Sequence, residues 1–229
     1  MYGRHATTFL KRSGWQRLCR ATAILKLQGE DATKFLQGMV TKDMRRLEGG
    51  GHTLLLNTKV ALLLSTNAVA AVETGRQSRI EHAICVYKCD REAHTYYIES
   101  EASQQTSLMA SLKKYLLRAR VAMEDVSQAM QVFCSSDAAS TASLITMKDE
   151  RGPFMGYRHL QPRSSKVDHE ATNEEAFLLR RVLQGIAEGT SEVHNAIPHE
   201  LSADQTRQRT HTLAFISRRV STQRSDSGL

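Results

Sequence analysis

Apolar positions along this chain follow two periods. Ile24, Leu25 and Leu27 flank an outward Lys26, the pattern of a short strand over 24–27. Ala32, Phe35, Leu36 and Met39 then recur at i, i+3, i+4 and i+7, which predicts one apolar helical face with Asp31 as its N-cap. Gly49-Gly50-Gly51 reads as a turn or flexible connection. His52 to Leu56 and Val60 to Leu64 read as strands paired around Asn57-Thr58-Lys59, and 73–81 as a polar loop. Two further strands, Ala83 to Cys89 and Thr95 to Glu99, are expected to join across residues 90–94.

Ser103 is a predicted cap for a helix with Leu108, Leu112, Tyr115 and Leu116 on one face. Short strands follow at Ala119 to Ala122 and Met130 to Cys134, with loops over 135–143 and 161–172. Thr172-Asn173-Glu174-Glu175 has the form of a capping box. It opens a helix expected to turn Ala176, Leu179, Val182 and Leu183 inward and to stop near Gly185. Strands and helices mix without βαβ alternation, so the predicted class is α+β: small mixed or antiparallel sheets with packed helices. No apolar run approaches the length that spans a bilayer.

The formal net charge of +7 suggests a nucleic-acid partner until it is located. Residues 1–29 carry six bases (Arg4, Lys11, Arg12, Arg17, Arg20 and Lys26) and no acid, and residues 205–229 carry five arginines against Asp226. The stretch between is therefore slightly acidic, which argues against a nucleic-acid-binding face. The basic, acid-free start, with Tyr2, Phe9, Leu10, Trp15 and Leu18 loosely spaced, has the composition of a mitochondrial transit peptide over residues 1–23. A disordered leader with no address has the same composition.

Four scattered cysteines do not make a secreted disulfide scaffold. Cys85 and Cys89 share a strand face but stand about 13 Å apart, too far for a disulfide or one metal ion. Cys85, Cys89 and Cys134 are expected to be buried structural thiols. His194, His199 and Glu200 lack the His-Glu-x-x-His spacing, and no serine-hydrolase, phosphate-loop or dinucleotide signature is present. Gly29 and Gly38 are read as allowing backbone turns and close packing.

Four segments together resemble the YgfZ/aminomethyltransferase-like (GcvT-related) folate-binding family. They are Leu25 to Asp43, with Gly29, Phe35-Leu36-Gln37-Gly38, Thr41 and Asp43; Leu56-Asn57-Thr58-Lys59, where Val60 replaces the usual glycine; Lys114 to Ser127; and Arg181 to Asp204, with Gly185-Ile186-Ala187-Glu188-Gly189 and Ile197-Pro198-x-Glu200. Their order over residues 24–204 carries the resemblance. The Thr-Gly-Glu-type signature of glycine-cleavage aminomethyltransferases is not found, and the Gly-Ile-x-Glu-Gly segment suits the mitochondrial iron–sulfur cluster assembly branch better.

The resemblance implies a GcvT/YgfZ-like region over 24–204, with two subdomains meeting near residue 125, and a folate-shaped cavity. It further implies tetrahydrofolate as ligand, with Asn57, Lys59, Glu188 and Glu200 as candidate anchors. The expected role is auxiliary to [4Fe–4S] assembly in the mitochondrial matrix, alongside A-type iron–sulfur scaffold proteins. The family's Phe-x-Lys-Gly-Cys-Tyr-x-Gly-Gln-Glu motif is matched here only at Phe215, its C-terminal barrel is not represented, and 205–229 read as a disordered basic tail. The expectation is weak or no binding of reduced folate and no support of cluster maturation by this chain. A folate-dependent aminomethyltransferase of the glycine-cleavage type and a non-functional fragment remain the other readings.

Overall fold

A computed structural model describes residues 8–11, 15–19, 21–56, 79–116, 119–138, 143–165 and 174–197. Among these described residues, nine strands form two antiparallel sheets. The larger contains β2 (Thr22–Gln28), β3 (Gly50–Leu56), β4 (Ile80–Cys89), β5 (Thr95–Glu101) and β6 (Ala122–Asp125), in the order β3-β4-β5-β2-β6. The smaller contains β1 (Gln16–Leu18), β7 (Met130–Ser135), β8 (Ile145–Lys148) and β9 (Tyr157–Pro162), in the order β1-β7-β9-β8. The α+β class is as expected from sequence.

The larger sheet is buried on both faces, and its strands alternate between two cores. Leu25, Leu27, Ile84, Val86, Tyr96 and Ile98 face helices α1 (Ala32–Met39) and α2 (Gln105–Lys113). Ile24, Cys85, Tyr87, Cys89 and Tyr97 face the smaller sheet and pack with Val132, Cys134, Met147 and Leu160. The layers are therefore helices, five-stranded sheet, four-stranded sheet.

The helix after Asp31 is as its periodicity predicts: Ala32, Phe35, Leu36 and Met39 are all buried. Asp31 occupies the N-cap position without capping. Its carboxylate instead accepts the Arg120 amide at 2.9 Å, tying the helix to the approach to β6. Gly29, at φ +153°, is required next to this contact, because a Cβ there would run into the Arg120 carbonyl. Gly38 has no such reason, since a Cβ would meet nothing within 4 Å. Gln37 accepts the Met44 amide at 2.8 Å, Thr41 the Leu54 amide at 3.2 Å, and Asp43 caps the 3-10 turn Met44–Arg46. Gln37 and Asp43 thus fix the 3-10 turn that follows α1, and Thr41 fastens this segment to β3.

Several expectations are corrected. Gly50 and Gly51 lie within β3, which pairs with β4. Strand β4 starts at Ile80, inside the segment read as a loop, and β8 and β9 were not anticipated. Ser103 lies in a 3-10 turn ahead of α2, whose cap position is Gln104. Described residues among the first 23 pack into the core. Leu10 and Cys19 are buried, β1 pairs with β7, and β2 begins at Thr22. The change of sheet falls between β6 and β7, close to residue 125, although β1 crosses it.

Helix α3 (Glu174–Leu183) turns a different face inward than its apolar spacing indicates. Phe177, Arg180 and Arg181 are buried, while Leu179 and Val182 are 47% and 60% exposed. Polar bonding decides the orientation. Arg180 donates to the Leu10 and Phe154 carbonyls at 2.5 and 3.1 Å and lies over the Trp15 ring. Arg181 forms a two-toothed pair with Glu192 at 2.6 and 2.8 Å. The helix ends at Leu183, just before Gly185 at φ +66°, close to the expected stop, and the short α4 (Thr190–Val193) follows. Val60 to Leu64, Thr172 and the 205–229 tail lie outside the described residues.

Candidate functional site

Strand register builds the site from two transverse rows of side chains. On the larger sheet His52, Cys85 and Glu99 stand abreast across β3, β4 and β5. On the smaller sheet Arg17, Cys134, Arg158 and Met147 stand abreast across β1, β7, β9 and β8. The rows face one another, so period-2 geometry aims charged groups into the space between the sheets.

Arg158 bridges that space. Its guanidinium binds both oxygens of Glu99, with Nε at 3.2 Å from Oε2 and Nη2 closer on Oε1. Tyr87 donates to Glu99 Oε2 at 2.5 Å. Beside this pair, Arg151 donates to Asp149 at 2.9 and 2.7 Å and to Glu188 at 2.7 Å. Arg158 Nη1 lies 3.8 Å from Asp149 and makes no hydrogen bond. Buried charges are tolerable only when compensated in this way.

The cluster sets protonation. Burial would raise the carboxyls of Glu188 and Asp149, but the Arg151 and Arg158 charges outweigh it, holding Glu188 down at about 2 and Asp149 below its ordinary value. His52 is pushed well below the usual imidazole range by burial and then by Arg151. Its Nε2 lies 2.9 Å from Cys85 Sγ, and burial pushes that thiol well up. The pair is a neutral thiol with a neutral imidazole, the reverse of an activated nucleophile. Among the described residues, no three His, Cys, Asp or Glu side chains converge as a metal site.

A cavity of about 410 Å³ opens over the cluster, between β4, β5, α3 and the segment leading into α4. Cys19, Cys85 and Glu99 belong to its walls, with Phe177 and Glu188 opposite. Arg17 lies over the Phe177 ring at 4.3 Å and 3.8 Å from Glu188. Of the four predicted anchors, Glu188 lies in this wall, while Asn57, Lys59 and Glu200 fall outside the described residues. His194 is exposed, with Nδ1 at 3.3 Å from the Glu81 carbonyl.

Sequence reasoning did not single out Glu99, Asp149, Arg151 or Arg158. Glu99 could have been found, as an acid at an inward position of a predicted strand. Arg158 could not, because β9 was not predicted.

This layered arrangement has a counterpart among solved structures. Glycine cleavage system aminomethyltransferase T from Bartonella henselae matches 79% of this chain and 52% of its own, with a TM-score of 0.53 at 10% identity. The fold is of the aminomethyltransferase type. In sequence, the chain is 27% identical over 202 residues to the Pyricularia oryzae protein named iron–sulfur cluster assembly factor IBA57 homolog, mitochondrial, covering 82% of this chain. The proteins of the same name from Chaetomium globosum and Aspergillus fumigatus are 28% and 27% identical, covering 80% and 86% of this chain. These sequence relatives are named as iron–sulfur cluster assembly factors.

The resemblance read from Leu25 to Asp204 is therefore borne out, and it points to the assembly-factor branch. The chain spans about half the length of the curated relatives it matches, 47% of the Pyricularia protein and 46% of the Chaetomium protein. No protein-family model matches it. Among the described residues, no helix is long and apolar enough to cross a membrane.

Proposed function

We propose that this chain is an auxiliary factor for iron–sulfur cluster assembly in the mitochondrial matrix, acting on [4Fe–4S] proteins together with A-type scaffold proteins. The observation that carries the reading is the similarity over four fifths of the chain to proteins named for this role. The charged cavity at the sheet junction is the proposed working site, and this proposal replaces the expectation, read from the unmatched cysteine motif, that the chain matures no clusters. The likeness to an aminomethyltransferase is one of fold, and the neutral Cys85–His52 pair adds no activated nucleophile to it.

Tetrahydrofolate is the proposed cavity ligand, and the residues suit it. A flat heterocycle with N–H donors needs an ionised acceptor and some apolar wall, and the charged lining supplies Glu188 for the first and Phe177 and Ile84 for the second. Arg17, over the Phe177 ring and 3.8 Å from Glu188, stands at the same end of the cavity and is proposed to cover the ring, not the anionic tail. When bound, a reduced folate supplies one-carbon chemistry. Glu188 and Arg17 are the residues proposed to hold it, and Arg151 keeps Glu188 ionised.

The basic start of the chain is proposed as the import signal. Because Leu10 and β1 pack into the fold, cleavage at Ala23 would strip β1 from its sheet. The mature N-terminus, mapped by mass spectrometry from mitochondria, is expected ahead of Trp15.

Depleting the protein from its own cells tests the role. Aconitase activity and protein lipoylation should fall at constant aconitase protein, with a cluster-free matrix dehydrogenase unchanged. Unchanged aconitase and lipoylation would overturn the proposal.

A further inference from the structure

We propose that Cys19 and Cys134 form an oxidisable dithiol, whose closure to a disulfide ties β1 to β7 and fixes the strand carrying Arg17 beside the cavity. The two Sγ atoms lie 3.5 Å apart, and both residues are buried free cysteines. The β1–β7 register pairs Leu18 with Phe133, and the Cys19 amide continues the ladder by donating to the Val132 carbonyl at 2.9 Å. Cys19 therefore stands opposite Val132, diagonal to Cys134.

The diagonal placement sets the strain that closure must overcome. Diagonal cross-strand positions stand roughly 7–8 Å apart in Cα, whereas a disulfide usually spans about 4.4–6.8 Å. Closure needs one strand to give. Strand β1 is three residues long and lies at the sheet edge, so it moves while the central β7 stays. By contrast, Cys85 and Cys89 lie four residues apart on one strand and cannot close.

The route of attack follows from burial. Cys19 lines the cavity and Cys134 does not, so a small peroxide reaches Cys19 first. The Cys19 thiolate attacks one peroxide oxygen. The O–O bond breaks, hydroxide leaves and takes up a proton as water, and a sulfenic acid remains. Cys134 then attacks that sulfur, the S–O bond breaks, and a second water leaves. Two thiols are oxidised to one disulfide, and one hydrogen peroxide is reduced to two waters.

The hydrogen bond to Cys134, together with burial, pushes the Cys19 thiol up, while the Arg158 charge, with Nη2 at 3.9 Å, works the other way. Only a minor thiolate fraction exists at neutral pH, so the reaction should quicken as pH rises. Once closed, the bond replaces a three-residue ladder as the anchor of Arg17, which faces Phe177 and Glu188. This inference is independent of the proposed role in cluster assembly.

The test uses the full reduced chain treated with hydrogen peroxide and digested in acid without reductant. The expected product is a Cys19–Cys134 crosslink and an intact mass lower by two hydrogens. Its thermal midpoint should be higher, reversibly with dithiothreitol. The Cys134→Ser variant should accumulate a Cys19 sulfenic acid that dimedone traps. Recovery of both cysteines as free thiols after peroxide, or linkage of Cys19 to a different thiol, would overturn the proposal. If the variant does not fold, the wild-type crosslink map decides alone.

Discussion

Arg158 on β9 grips Glu99 on β5 across the space between the two sheets, and both side chains are buried. The contact joins the layers that enclose the cavity. A buried pair of this kind gains little over a well-packed apolar pair, yet removing one partner alone strands the other charge.

Arg158→Met should therefore destabilise the chain by about 3–5 kcal/mol, because Glu99 is left buried without its cation. Adding Glu99→Leu should restore much of that loss. Urea unfolding of the single and double variants measures both. A double variant as unstable as the sum of two large single losses would contradict the coupling.

The two helical faces give a contrasting pair. Leu36 is fully buried under the larger sheet, so Leu36→Ala should cost about 2–5 kcal/mol. Leu179 is half exposed on α3, so Leu179→Ser should stay within about 0.5 kcal/mol of wild type. A large loss at Leu179 would restore the orientation that apolar spacing alone indicates.

Acid sensitivity follows from Glu188 and His52. Glu188 is held down at about 2 in the fold, against an unfolded value of about 4.3. Its contribution is complete above the unfolded value and is lost as pH falls toward 2. His52 is held well below its unfolded value of about 6.5, so the unfolded chain gains a proton first as pH drops through that range, and stability falls. Glu188→Gln should flatten the lower part of the stability profile, and His52→Gln the part below about 6.5. Chemical denaturation from pH 7 downward measures both slopes; profiles parallel to wild type would contradict the assignment.

Gly29→Ala should destabilise by more than about 1 kcal/mol, since both the backbone angle and the Arg120 carbonyl exclude a Cβ. Gly38→Ala should be neutral or stabilising by up to about 1 kcal/mol, as helix propensity favours alanine in open space. Thermal melts of the two variants compare them directly.

Much of the fold could be read from periodicity. The α1 face from Ala32 to Met39 and the hairpin of β4 and β5 need only local pattern. Leu179 and Val182 mislead because Arg180 and Arg181, polar by composition, find partners in the Leu10 and Phe154 carbonyls and in Glu192. Strand β9 is not legible because Arg158 and His159 fill buried positions with polar groups. They are stabilised by partners such as Glu99, Ser135 and Thr146, which only the tertiary structure brings near. Of the site, Glu188 was reached through resemblance, whereas the facing rows of His52–Cys85–Glu99 and Arg17–Cys134–Arg158 depend on register that sequence does not reveal.

The central claim is that the cavity over these rows does the protein's work in cluster assembly. Re-expression in cells depleted of the protein tests it most directly, comparing wild type with an Arg17→Ala, Glu188→Gln variant matched for level and thermal midpoint. Wild type is predicted to restore aconitase activity, and the variant is predicted not to. Equal restoration by both would contradict the account.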